Sequence, residues 1–70
     1  MRWAIVIEGS EGNYAAYVPD LPGCVTTGDT VDEVLAMMRE AIEFHLDGMR
    51  EDGTPIPQPS SRVLYVEIGL

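Results

Sequence analysis

The sequence predicts an α+β domain built as a two-layer sandwich: a three-stranded antiparallel meander, then one helix, then a fourth strand, in the order βββαβ. Three observations carry this reading. Trp3, Ile5 and Ile7 alternate with Arg2, Val6 and Glu8, and a second strand-like run follows from Tyr14 to Val18. Apolar residues then recur at spacings of three and four from Val31 to Met49. Finally, a β-rich run from Arg62 to Ile68 follows a proline-marked segment.

Each element has a local cause. In the first strand, period-two alternation leaves one face more apolar than the other. Gly9-Ser10-Glu11-Gly12-Asn13 supplies the turn of a hairpin, because Gly and Asn tolerate positive φ. Tyr14 to Val18 returns antiparallel. Pro19 and Pro22 remove two backbone donors and fix their own φ angles, so Pro19-Asp20-Leu21-Pro22-Gly23 reads as a rigid corner. Cys24 to Thr27 is a third, short strand. Thr30-Val31-Asp32-Glu33 is a capping box, with Asp29, Asp32 and Glu33 suited to the positive end of a helix dipole.

From Val31 to about Arg50 the stripe Val31, Val34, Leu35, Met38, Ala41, Ile42, His45 and Met49 defines an amphipathic helix of roughly 30 Å. Met37, Phe44 and Leu46 widen that stripe, so part of it is available to a second subunit. Glu51-Asp52-Gly53-Thr54-Pro55 stops the helix, Pro55, Pro57 and Pro59 keep the next stretch extended, and Arg62 to Ile68 returns to the sheet as the fourth strand.

Composition narrows the functional classes. Seventy residues hold one domain with a marginal core, which makes self-association a reasonable default. The lone Cys24 cannot form an internal disulfide, and with the single His45 it cannot complete a four-ligand metal site. No apolar run reaches the ~18 residues of a membrane span. Nor does the amino terminus have the organisation of an export signal, so a cytoplasmic location is expected. Twelve acidic residues against four arginines give a net charge of −8, and Arg2, Arg39, Arg50 and Arg62 are scattered among acids. Such a chain repels phosphate backbones and favours a basic protein partner.

At the level of motifs the chain resembles a known family. The Gly-Asn-Tyr turn at residues 12–14, Tyr-Val-Pro-Asp-Leu-Pro-Gly-Cys at 17–24 and Thr-Gly-Asp-Thr-Val-Asp-Glu-Val at 27–34 occur in order with Glu40-Ala41-Ile42 and Gly-Thr-Pro-Ile-Pro-Gln-Pro-Ser at 53–60. Together they are similar to the HicB family of antitoxins, in its single-domain, UPF0150-type form, over nearly the whole chain. The resemblance implies a partial ribonuclease-H-like fold without nuclease activity. It also implies a small mRNA-cleaving toxin partner, HicA, whose active surface is covered on binding, and assembly of the antitoxin into dimers or tetramers. Many members of the family carry a carboxy-terminal DNA-binding module that represses their own operon. The sequence ends with the fourth strand, so residues 1–70 are expected to form a single antitoxin domain without that module, and autoregulation is doubtful.

The motif positions Tyr17, Pro19, Asp20, Pro22, Gly23, Cys24, Gly28, Asp29, Thr30 and Glu33 are read as mainly structural, shaping a corner and a helix start. Asp20, Asp29, Asp32 and Glu33 could instead gather around a divalent cation, although capping already employs most of those carboxylates. Cys24 reads as a small hydrophobe, His45 as a packed or interface histidine, and Tyr14, Tyr17 and Tyr65 as sheet aromatics of the core or a binding face. No catalytic residue, metal ligand or cofactor is expected. Charge alone nominates Asp20, Glu40, Glu43 and Asp47 as toxin contacts. The competing readings are an orphan homo-oligomeric scaffold without a toxin and a metal-dependent ribonuclease-H-like nuclease.

Overall fold

The structure, a computed structural model, describes all of residues 1–70. Its sheet is a meander in the order β1 (Val6–Ser10), β2 (Asn13–Tyr17) and β3 (Val25–Gly28), with both pairs antiparallel. The register places Ile7 opposite Ala16 and Ala16 opposite Thr26 on one face, and Val6, Tyr17 and Val25 in a row on the other. Helix α1 (Val31–Asp52) lies across β2 and β3, so the first of these faces is the buried one.

The first hairpin is tighter than the sequence suggested. β1 runs on through Gly9 and Ser10, and only Glu11 and Gly12 form the loop, with Gly12 at φ 82°. Gly9, at φ 116°, has no room for a side chain, since a Cβ there would sit 2.2 Å from the Asn13 carbonyl oxygen. At its other end β1 starts later than expected, leaving Arg2 to Ile5 outside the ladder.

The corner consists of two successive β-turns. Leu21 N–H donates to the Val18 carbonyl at 3.1 Å, around Pro19 and Asp20; Cys24 N–H donates to the Leu21 carbonyl at 3.1 Å, around Pro22 and Gly23. Pro22 at the second position and Gly23 at φ 86° make the latter a type II turn, which demands positive φ at its third residue. Val18 N–H, donating to the Cys24 carbonyl at 3.2 Å, closes the corner. Apolar side chains from this corner, Val18, Leu21 and Cys24, join Ala16, Val34 and Met38 as the six fully buried residues.

Helix α1 is bounded as its sequence demands. Thr30 Oγ1 accepts from Glu33 N–H at 3.1 Å. The reciprocal half of the capping box is not formed: the Glu33 carboxylate makes no bond to the Thr30 N–H and lies beside Gly28 instead. At the other end Gly53 adopts φ 70°, its N–H donates to the Arg50 carbonyl, and Thr54 N–H donates to the Met49 carbonyl. These two bonds are a Schellman motif, which satisfies carbonyls the helix leaves open. No helix here is long and apolar enough to cross a membrane.

The expected fourth strand is absent from the isolated chain. Residues 54–70 contain no regular element, and every residue from Ser61 to Leu70 is exposed. The tail has a strand's composition but no ladder partner and no covering layer, and without both an extended segment gains little from being a strand. Its projection is visible in the overall shape. The radius of gyration is 13.8 Å, against about 11 Å for a compact chain of this length, and the long axis reaches 48 Å.

Candidate functional site

Three surface features are built on this frame: a carboxylate clamp at the corner, an acidic ridge on α1, and a cleft beside the start of the sheet. No group of three or more His, Cys, Asp or Glu side chains converges in the way a metal ion requires. Asp20 is engaged at the corner, whereas Asp29, Asp32 and Glu33 stand around the start of α1.

The clamp joins the corner to the tail. Both oxygens of Asp20 accept hydrogen bonds from Ser60 and Ser61: the two backbone N–H groups donate to Oδ2 at 3.0 and 2.9 Å, and the two hydroxyls donate to Oδ1 at 3.2 and 2.8 Å. The Ser61 backbone N–H is the largest cause of an Asp20 pKa below the ordinary carboxylate value, followed by the Ser61 hydroxyl. Asp20 was expected at the surface as a charge for a partner. The fold gives its acceptors to the chain itself.

The ridge arises from helical spacing. Glu33, Met37, Glu40, Phe44, Asp47 and Glu51 are separated alternately by four and three residues, which places them along one face. All six are exposed, and Phe44 remains 83% exposed. The sequence reading assigned Met37 and Phe44 to a widened apolar stripe. In the fold Phe44 stands away from the core, flanked by acids, while Leu46 and Met49 pack against it. Asp47 pairs with Arg50 at 2.9 Å, an exposed pair of small energetic value. His45, which spacing puts on the same stripe as Met38, Ala41 and Met49, is half-buried.

The cleft of about 650 Å³ opens between Met1, Trp3 and Ile5 on one side and Leu35, Ile42 and Leu46 of α1 on the other, with Arg39 and Arg50 at its walls. A neighbouring groove is formed by Arg2, Trp3 and Ala4 against Ser61 to Leu64. All four arginines of the chain therefore gather around two recesses that share Trp3. Sequence reasoning missed this convergence and described the four as scattered. One sign was readable, since Arg39 and Arg50 lie about three helical turns apart and so share a side of α1.

The remaining motif residues have structural duties. Burial raises the Cys24 thiol above its ordinary pKa, and its S–H points to the Met38 sulfur at 3.9 Å, as befits a small hydrophobe. Tyr14 packs against the core, Tyr17 is partly exposed on the outer sheet face, and Tyr65, at 92% exposure, has no sheet to join.

Fold and surface together define a small, strongly acidic α+β domain with exposed charged and apolar faces. Residues 3–67 match the family described as HicB_like antitoxin of bacterial toxin-antitoxin system, and the chain belongs to that family. It is 39% identical to Antitoxin HicB 2 of Photorhabdus laumondii, covering 97% of this chain and 50% of that protein. It is also 39% identical to an uncharacterised 14.9 kDa protein of Haemophilus phage HP1, over 94% of this chain and 50% of the phage protein. A UPF0150 protein of Thermoplasma acidophilum is 33% identical, over 94% of this chain and 97% of its own length. The chain thus spans about half the length of the first two of these relatives, and nearly all of the third.

Proposed function

We propose that the chain is an antitoxin that binds a small basic HicA-type toxin and occludes its RNA-cleaving surface, with no turnover of its own. The observation that carries this reading is the family match over residues 3–67, joined by relatives that are themselves named antitoxins. The charge of −8 supports it, because a protein that cleaves RNA presents cations to its substrate. Such cations are what an acidic ridge attracts. The sheet-and-helix core is also compatible with the partial ribonuclease-H-like fold that the resemblance implies.

The contact face proposed here is the α1 ridge. Glu40, Asp47 and Glu51 supply charge around Phe44, and an exposed aromatic among charges has the make-up of an interface hot spot. Glu43 lies at the border of the ridge and the cleft. Asp20, already clamped by Ser60 and Ser61, contributes less to toxin contact than its charge alone suggests.

Co-expression with any short basic protein found in the adjacent reading frame, followed by co-purification and titration, tests the reading. A stoichiometric complex that loses ribonuclease activity is expected. Phe44→Ala should weaken binding by about thirtyfold or more, as for a hot-spot residue. Reversing Glu40 and Asp47 to Lys should slow association and flatten its salt dependence. Binding unchanged by all three substitutions would remove the ridge from the interface, and no binding at all would favour the orphan scaffold.

A further inference from the structure

The groove between the amino terminus and the start of the tail is an acid-free recess in an acidic molecule. Arg2, Trp3 and Ala4 form one wall and Ser61 to Leu64 the other, around a volume of about 420 Å³ with no carboxylate on its lining. The cleft beside α1 differs, because Glu43 lines it and Arg50 there is already paired with Asp47. That pair is the only ion pair of the chain, and no side-chain hydrogen bond engages Arg2 or Arg62. With twelve acids for four arginines, composition alone would have given each of them an acidic neighbour.

The fold brings these two cations together. Arg62 directly follows Ser61, whose N–H and hydroxyl are both held by Asp20, so the clamp fixes the point from which the Arg62 side chain departs. Arg2 reaches the same recess from the other end of the chain, beside the half-buried Trp3 that packs against the core. Two guanidinium groups on one groove repel each other, and an anion between them removes that cost. Guanidinium matches phosphate oxygens bidentately, and an indole in the same wall offers a flat apolar partner for a base. The volume falls in the lower part of the range of small-molecule pockets, roughly 300–1,000 Å³. Net charge limits the size of the ligand: the rest of a surface at −8 repels a long polyanion, whereas one small anion meets only the two arginines.

We infer that this groove binds a nucleoside monophosphate, with the phosphate between Arg2 and Arg62 and the base against Trp3. The site lies off the α1 ridge, and it is independent of the toxin reading because it concerns the chain alone.

Trp3 is the only tryptophan of the chain, so its fluorescence reports on the groove. The test is a titration of the full chain with adenosine monophosphate, followed by that fluorescence, excited on the red edge clear of the nucleobase, and by calorimetry. Saturable quenching with one site per chain is expected. Adenosine and inorganic phosphate, each carrying half of the recognised groups, should bind about tenfold more weakly or less. Arg2→Gln and Arg62→Gln, at exposed positions outside the core, should each weaken the nucleotide by about tenfold or more. Asp20→Asn should weaken it as well, by freeing Ser61, whereas Arg39→Gln in the neighbouring cleft should change nothing. Inorganic phosphate or adenosine binding as tightly as the nucleotide would overturn the inference. So would affinity retained in both arginine variants or in Asp20→Asn, or an equal loss in Arg39→Gln.

Discussion

Ser61 donates twice to Asp20, through its backbone N–H at 2.9 Å and its hydroxyl at 2.8 Å, across a sequence separation of 41. Ser60 adds a second pair of bonds to the same carboxylate. This one side chain determines where the tail leaves the body.

The clamp should titrate. Its donors favour the charged carboxylate and depress the folded pKa below the ordinary 3.8, with the Ser61 backbone N–H as the leading cause. The sign follows from the depression: the stabilisation is complete above the ordinary value and is lost as the pH falls through the lowered one. Asp20→Asn should speed amide exchange at Ser60 and Ser61 at neutral pH and abolish the acid-dependent release of the tail. Equal exchange in parent and variant would show that the carboxylate does not hold the tail.

Gly28 faces the fully buried Val34, and a Cβ at Gly28 would approach Val34 Cγ2 to 2.9 Å. Gly28→Ala should therefore cost about 1–3 kcal/mol in denaturant unfolding through overpacking. In a Val34→Ala background, where that methyl is gone, the same substitution should cost much less. Additive losses would mean that the two positions do not touch.

Thr26 has a buried hydroxyl oxygen without a hydrogen-bond partner. A desolvated, unpaired polar atom works against folding, so Thr26→Val, with a similar shape and no hydroxyl, should leave stability unchanged or raise it by about 1 kcal/mol. A loss of stability in thermal unfolding would indicate that the hydroxyl is satisfied in solution.

The two ends of α1 offer a matched pair of measurements. Thr30→Ala removes the acceptor of Glu33 N–H and should cost about 1 kcal/mol. Gly53→Ala forces a Cβ into the left-handed region at φ 70° and should cost roughly 1–2 kcal/mol. Gly53→Asn should recover part of that loss, because Asn tolerates this conformation better than Ala.

Much of the body was legible because its signals are local. Two prolines and a glycine within five residues dictate the corner, and Thr30 and Gly53 mark the helix ends within two residues of where the sequence reading put them. The meander followed from alternation and short turns. What escaped depends on partners distant in sequence. That Asp20 is occupied by Ser60 and Ser61 is invisible to spacing, and so is the gathering of Arg2 and Arg62 beside Trp3. Phe44 was misplaced for a related reason: periodicity ranks residues by polarity, whereas α1 packs mainly on β2 and β3, which leaves its far side to solvent. The tail was read as a strand from composition, but a strand is a relation between two segments, and the second is missing from this chain's own surface.

The arginine-lined recesses and the acidic ridge occupy different flanks of the same helix. A molecule charged in this way has direction as well as sign. In the field of an approaching polycation it experiences a torque before any atoms touch, rotating its ridge forward and its recesses to the rear. Charge then biases the orientation of the encounter during diffusion, ahead of any contact.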